Sequence, residues 1–434
     1  DKMNDHYMRN GKWEPFSGFS ADVFFDEGMK FIARQEGKPF FVYLATNAPH
    51  WPWHVRKEWR DAYGDSLKEH DRGRKRSLAD FYATVTRIDH NIGRLRAFLE
   101  DEGLAENTIL LFLTDNGTAG SWGVYYAGMR GIKGSVYDGG HRVPCFLHWP
   151  AKGFDEGRDI EALTAHIDVL PTLVDLCGLK APAKARHPMS GQSWGPLLKR
   201  SDAAWPDRAL FVHCQNAERY EKWRNSAVIT RQWRLVNRDE LYDIKADPGQ
   251  EVDVAGEHPE VVAALRQEYE RYWQEIKGGN TPMPRAVVGS GKIKTTWLVS
   301  DAWLPRSPKP LVWNQPHVNG GLRNFGTWSV TIARKGGYAI ELRRWPRELD
   351  CAISAAPPVR SGGDICLSGE PVILPRGESI AVSSAVLKIG GETHEKPVSS
   401  ADTHVRFEVD LARGDADVEA YFLDDAGEQH PAYY

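Results

Sequence analysis

The sequence predicts an α/β domain with a largely parallel, mixed sheet flanked by helices, then a small α+β subdomain and a C-terminal β-sandwich. Three observations carry this reading. Two apolar runs, 39–45 and 108–114, show no alternation, the pattern of strands covered on both faces. A long amphipathic helix separates them, and a strand, helix, strand sequence with a long crossover makes its two strands parallel. Beyond residue 296 the runs become short and alternating, punctuated by Gly, Pro and Asp. The implied divisions are an α/β domain over 1–206, an α+β subdomain over 207–275, a linker over 276–296 and a sandwich over 297–434.

Each element follows from its residues. Val23, Phe24, Met29, Phe31 and Ile32 recur at helical spacing within 21–35. The run Pro39-Phe-Phe-Val-Tyr-Leu-Ala45 leads into Thr46-Asn-Ala-Pro-His50, which puts His50 just past the carboxyl end of a strand. Ser77 is a fitting N-cap, with Asp80 three residues on, for a helix carrying Leu78, Phe81, Val85, Ile88, Ile92, Leu95 and Leu99, and Gly103 stops it. The second apolar run ends on Asp115-Asn116-Gly117. Residues 142–150 read as a further strand and 167–177 as a helix stopped by Gly178, with His166 and Asp168 capping and packing its start. Strands over 227–230 and 233–237, a turn over 240–248 and an amphipathic helix over 259–273 make up the subdomain. The sandwich strands are expected over 328–333, 338–343, 380–384, 405–410 and 418–423.

In open α/β sheets the ligand crevice lies beyond the carboxyl ends of the strands, where His50 and Asp115 both fall. A carboxylate beside an amide carbonyl offers hard oxygens suited to Ca²⁺ or Mg²⁺. Taken alone, Asp115-Asn116-Gly117 reads more readily as a turn than as a metal site. Lys133 lies between Gly131 and Gly134, which let the backbone approach a ligand and hold an ammonium over it. The charged run Lys68–Arg76 reads as a surface loop, and its Arg72, Arg74, Lys75 and Arg76 could rim an anionic substrate.

Composition excludes some classes. A net charge of −4 gives no reason to expect nucleic acid or an anionic membrane surface as a partner. No apolar run approaches a membrane span, and no signal peptide is visible. An opening at Asp1 suggests a processed or truncated product. The five cysteines contain no C-x-x-C pair, and Cys351 with Cys366 could be bridged in an exported protein. The 16 tryptophans suit either core packing or sugar stacking.

Taken together and in order, these motifs resemble the sulfatase family of the alkaline-phosphatase superfamily. Pro39–His50 resembles its segment with an active-site His, Thr114–Gly117 its calcium-binding Asp-Asn, and Arg130–Ser135 through Gly139–Pro144 its sulfate-binding Lys loop. Ile167–Leu173, Ser190–Ser193 with Pro196–Leu198, and Leu241–Asp243 with Asp247-Pro248 are further landmarks, so the match runs from about residue 20 to 275. The resemblance implies an alkaline-phosphatase-like sheet and a functional rather than a turn role for Asp115 and Asn116. It further implies Ca²⁺ on Asp115 and Asn116, sulfate on Lys133, and His50 as a sulfate contact that protonates the leaving oxygen.

The family nucleophile is a formylglycine made within a Cys/Ser-x-Pro-x-Arg motif, and no Cys or Ser of this chain begins one. The family's paired N-terminal aspartates are missing too, and Ca²⁺ takes six to eight oxygens where Asp115 and Asn116 supply at most three. The implied partners are therefore an N-terminal segment carrying the nucleophile and a sulfated sugar or aryl ester. The implied location is the periplasm or the exterior. Trp313–His317, Gly326–Trp328 and Glu341–Pro346 resemble an appended β-rich domain of some bacterial sulfatases. The expectation is a calcium-dependent sulfuric ester hydrolase, against a phosphodiesterase or phosphonate monoester hydrolase of the same superfamily and a non-catalytic protein that binds sulfated glycans.

Overall fold

A computed structural model describes residues 2–67, 69–70, 77–120, 123–180, 188–200, 202–215, 221–276, 284–305, 312, 314–367, 370–374 and 376–434. The arginine-rich run 71–76, Trp122 and Trp313 lie outside them. The chain divides into two compact units, Asp1–Thr281 with Leu367–Gly369, and Pro282–Cys366 with Glu370–Tyr434.

The first unit is mixed α/β, as expected. An antiparallel hairpin of β1 (His6–Arg9) and β2 (Lys12–Pro15) precedes α1 (Ser20–Ala33). This helix buries Val23, Phe25 and Ile32, so its inner face centres on Phe25 while Phe31 of the expected stripe is exposed. A two-residue strand β3 (Val55–Arg56) leads into α2 (Lys57–Asp61), and α3 (Leu78–Asp101) follows. Ser77 caps α3 by accepting the Ala79 N–H at 3.2 Å, and Gly103 ends it with a φ of +67° that a Cβ would disfavour. Arg87 of α3 grips Asp22 of α1 through two bonds of 2.7 and 2.8 Å, and Phe25, Ile32, Leu95 and Leu99 form the core between the helices.

The expected parallel pair of strands is where the structure departs from the sequence reading. Phe40, Val42 and Leu44 pack on the α1–α3 core, but 38–47 carries no strand ladder, and Phe41 and Tyr43 are 73% and 82% exposed. The second run forms β4 (Leu110–Leu113), whose ladder partner is β5 (Cys145–His148), antiparallel and reached through α4 (Asp138–His141). The physical reason is one of neighbours. A ladder needs a strand about 4.8 Å away, and among the described residues none runs along 39–45 or the far edge of β4.

After α5 (Val169–Leu176) and α6 (Gly195–Lys199) comes an antiparallel sheet in sequence order, β6 (Leu210–His213), β7 (Ser226–Ile229), β8 (Trp233–Val236) and β9 (Glu240–Asp243). The stretch read as a turn from 240 is thus a strand as far as Asp243, because Leu241 and Tyr242 are buried and all four residues pair in register with Trp233–Val236 of β8. Helix α7 (Pro259–Glu275) closes this sheet with Val262, Leu265, Tyr269 and Trp273 against Val228, Leu235 and Leu241.

The second unit is a β-sandwich. Its elements in order are β10 (Ala286–Val288), β11 (Leu304–Pro305), α8 (Gln315–Asn319), β12 (Gly326–Ile332), β13 (Gly336–Leu342), β14 (Arg360–Leu367), β15 (Glu370–Leu374), β16 (Ser384–Ile389), β17 (Glu392–Pro397), β18 (Val405–Leu411), β19 (Gly414–Leu423) and β20 (Gln429–Pro431). The sheet β10-β12-β19-β16-β17 and the pair β13–β18 bury a shared core that includes Trp328, Val330, Phe407, Val409 and Phe422. Strand β10 lies in the stretch read as a linker, where it pairs in parallel with β12. The strand expected at 380–384 begins instead at Ser384, the Ile380 amide bonding the Ser354 carbonyl and the Ser383 amide the carbonyl of Leu423 at the end of β19. Cys351 is a free thiol, and the side chain of Cys366 lies outside the described residues.

Candidate active site

Two loops of the first unit are bonded together beyond the end of β4, and small residues allow it. Asp115 is exposed immediately after the strand, and the Asn116 amide donates to its carboxylate. The next turn is locked to the Lys133 loop by two backbone bonds, Gly117 N–H to the Gly140 carbonyl at 3.0 Å and Lys133 N–H to the Thr118 carbonyl at 3.1 Å. A Cβ on Gly117 would lie 1.8 Å from the Gly139 oxygen, so only glycine permits this approach. Lys133 itself is exposed at the tip of a loop that closes where the Gly139 N–H meets the Arg130 carbonyl at 2.8 Å.

His50 lies on a loop that packs on the same residue of α3 as the Asp115 loop. Its loop contains cis peptides at Pro49 and Pro52 and is pinned by Trp53, whose indole N–H donates to the Pro49 carbonyl at 2.8 Å. Trp53 rests on Phe81 with ring centroids 5.3 Å apart. Gly120 of the Asp115 loop lies against the same Phe81 ring, 2.5 Å from where its Cβ would be. One phenylalanine of α3 therefore underlies both loops. The His50 Nδ1 lies 2.6 Å from the Trp51 carbonyl, an acceptor, so Nδ1 carries a proton and Nε2 is the atom left for chemistry. Lys2 donates to the His50 carbonyl, and burial pushes its ammonium down to about 8.

A second histidine also touches the site strand. His166 Nε2 donates to the Thr114 carbonyl at 2.8 Å, a contact the reading of His166 as a cap and packing residue did not include. Asp168 does serve the expected structural role, accepting Ala165 and Gln192 amides at 2.8 Å and pairing with Arg208. Burial raises its carboxyl pKa, but Arg208 and those amides outweigh burial and hold it below the usual range.

The donor set of Asp115 and Asn116 fits a hard divalent cation in kind, with a carboxylate and an amide oxygen side by side and open to solvent. It falls short in number, at most three oxygens of the six to eight that Ca²⁺ takes. Among the described residues, Asp424, Glu428 and His430 of the second unit form a cluster of metal-type donors. Asp424 and His430 border a cavity of about 430 Å³ that Arg323, Glu378 and Ser379 also line. Here Asp424 is spent on the hairpin turn, accepting Ala426 and Glu428 amides at 3.0 and 2.8 Å, and Arg323 pairs with Glu428 at 2.5 Å. That arginine opposes a cation.

Comparison with known proteins shows which sequences and structures the chain resembles. Residues 1–179 match the sulfatase family model, and 131–275 match the C-terminal region of N-sulphoglucosamine sulphohydrolase. Over residues 1–275 the chain is therefore similar to sulfatases. It is 25% identical to the N-acetylglucosamine-6-O-sulfatase of Bacteroides thetaiotaomicron over 264 residues, which is 55% of this chain and 45% of that protein. Against human arylsulfatase A it is 26% identical, over 58% of this chain and 51% of the relative. The solved structure of Ps i-CgsB in complex with k-i-k-neocarrahexaose aligns with a TM-score of 0.53 and 27% identity, covering 61% of this chain and 56% of that one. The chain thus spans about half the length of these relatives. No helix among the described residues is long and apolar enough to cross a membrane.

Some residues escaped the sequence reading. Phe81 appeared only as one apolar position of a helix, and nothing in its spacing marks it as the floor of two loops. Asp138 lay inside the Lys-loop motif, but its partner Arg234 is 96 residues away and no local pattern joins them.

Proposed function

We propose that this chain carries part of the active site of a calcium-dependent sulfuric ester hydrolase acting on a sulfated carbohydrate. The observation that carries the reading is the double backbone lock, through Thr118 and Gly140, which sets the ammonium-bearing loop beside the Asp115–Asn116 pair. Asp115 and Asn116 would hold the Ca²⁺, which when bound supplies positive charge toward sulfuryl oxygens. Lys133 binds the same anionic group from its loop tip. His50, through Nε2, contacts the sulfate and delivers a proton to the departing oxygen, a role suited to imidazole near neutral pH. The remaining calcium oxygens and a formylglycine nucleophile belong, in this reading, to polypeptide outside these 434 residues. The unladdered 39–45 run and the open edge of β4 support a further strand-bearing segment as that partner.

A sulfated sugar as substrate is supported by relatives named as N-acetylglucosamine-6-O-sulfatase and N-acetylgalactosamine-6-O-sulfatase and by the k-i-k-neocarrahexaose complex. A periplasmic or secreted location is supported by the family resemblance alone. The test is turnover of 4-nitrocatechol sulfate with calcium, by the chain together with any polypeptide that copurifies with it. His50→Ala should lower turnover by roughly 10² to 10⁴-fold, the usual weight of a general acid. Asp115→Ala should abolish the calcium dependence. Full turnover in His50→Ala would remove His50 from the reaction, and unchanged calcium binding in Asp115→Ala would place the metal elsewhere. Retention on a sulfated polymer with no turnover by any complex would leave a glycan-binding protein instead.

A further inference from the structure

The loop that presents Lys133 is anchored at both ends to one hairpin of the subdomain sheet. At its start, the Arg130 guanidinium lies 4.0 Å over the Tyr137 ring and donates to the Tyr242 hydroxyl at 3.0 Å and the Gln250 carbonyl at 2.8 Å. At its end, Asp138 is fully buried. Its carboxylate takes a fork from Arg234 of β8, with Nε at 2.7 Å and Nη2 at 3.3 Å, while its own N–H donates to the Gln250 side chain at 2.8 Å. Tyr137 and Tyr242 both donate to Glu240 of β9, at 2.8 and 2.6 Å. Val136 meanwhile packs in a small core with Ala227, Ile229, Val236 and Tyr242.

A buried ion pair is a poor source of stability, because desolvating both charges offsets their attraction and an apolar pair of similar volume often does as well. What the guanidinium fork adds is geometry, since two bonds fix the carboxylate in plane and in register. Lys133 is five residues before that fixed point and three after Arg130, on a loop short enough to inherit its position. We propose that the Asp138–Arg234 pair is a positioning device, by which the β8–β9 hairpin aims the Lys133 loop at the sulfate group, with Arg234 as the positioning residue. The proposal rests on the assignment of Lys133 to sulfate binding.

The experiment compares variants of the 434-residue chain by amide hydrogen exchange, unfolding midpoint and affinity for 4-nitrocatechol sulfate. Arg234→Met should speed exchange at Lys133, Ser135 and Gly139 and weaken binding by on the order of tenfold, with α3 amides unchanged. Arg234→Lys, which keeps charge but loses the fork, should fall between. Arg234→Met combined with Asp138→Leu refills the volume with apolar atoms, and should restore the midpoint but not the affinity. If Arg234→Met opens α3 as well, Asp138→Asn, nearly isosteric, should reproduce the loop exchange and the weaker binding. Wild-type exchange and affinity in Arg234→Met or Asp138→Asn overturn the proposal, as does recovery of affinity in the apolar double variant. Lys133→Ala separates the two layers. If it binds as tightly as the parent, the assignment of Lys133 is wrong, and loop exchange alone then reports whether the pair orders the loop.

Discussion

The sandwich of the second unit and the site-bearing segments of the first treat apolar side chains in opposite ways. Along β12 and β18 every second residue is buried without a break, and the two sheets share one core of Trp, Phe, Val, Ile and Leu. Along 39–45 the alternation is only half satisfied. Phe40, Val42 and Leu44 meet the α1–α3 core, but Phe41 and Tyr43 face outward, and on β5 Phe146 is 66% exposed. The sandwich closes on its own residues. The segment leading to His50 has one covered face among the described residues and the strand leading to Asp115 is only half-buried throughout, though their composition is that of strands covered on two faces. Closure within the unit, rather than apolar content, separates the region built to stand alone from the region built to hold a site.

The largest effect that would sharpen this comparison is in the sandwich core. Phe407→Ala removes a ring that is 1% exposed and should cost about 3–5 kcal/mol, read as the urea midpoint shift of the transition that hydrogen exchange assigns to the second unit. A cost below about 1 kcal/mol would mean that this core is loosely packed and the contrast false.

A smaller effect belongs to the first unit alone. Burial pushes the His54 imidazole down to about 4, with Lys2 acting in the same direction and Asp80 against it. A lowered folded-state value means that the unfolded chain binds the proton first as pH falls. Stability is then intact above the ordinary histidine value of about 6.5 and is lost between there and about 4. The loss should reach roughly 3 kcal/mol, from a shift of two to three pKa units at 1.4 kcal/mol each. Urea titrations at pH 7 and pH 4.5 measure it, and His54→Leu should flatten the profile. A first unit equally stable at both pH values would show that His54 is not held neutral.

How much was legible follows the same division. The caps were plain, since Ser77 and Gly103 act through neighbours within a few residues. The sandwich was legible as a class because its strands carry their own alternation, although Ile380–Ser383 proved a loop whose amides are taken by distant carbonyls. Asp115, Asn116 and Lys133 stand out as candidates because the motif that marks them is local, and the lock between their loops relies on Gly117, which the sequence displays openly. The ladder was not legible. An unalternating run reports what its side chains require on each face, not which chain supplies the neighbouring strand. Nor was the Asp138–Arg234 pair, which exists only once β8 has folded beside the loop.

The smallest expected effect tests the exposed face directly. Phe41→Ser and Tyr43→Ser, singly or together, change side chains that are mostly in water already, so each should alter the stability of the chain by no more than about 0.5 kcal/mol. Hydrophobic transfer gives the same answer, since only area removed from water contributes, and little of these rings has been removed. The measurement is the urea midpoint of the first unit, taken beside Val42→Ser as an inward-facing control that should cost several times more. Equal costs at 41 and 42 would mean that both faces are covered in solution, and the contrast with the sandwich would vanish. A cost at 42 alone would establish that the outward face is free to receive another strand or layer, which is the condition that a composite active site requires.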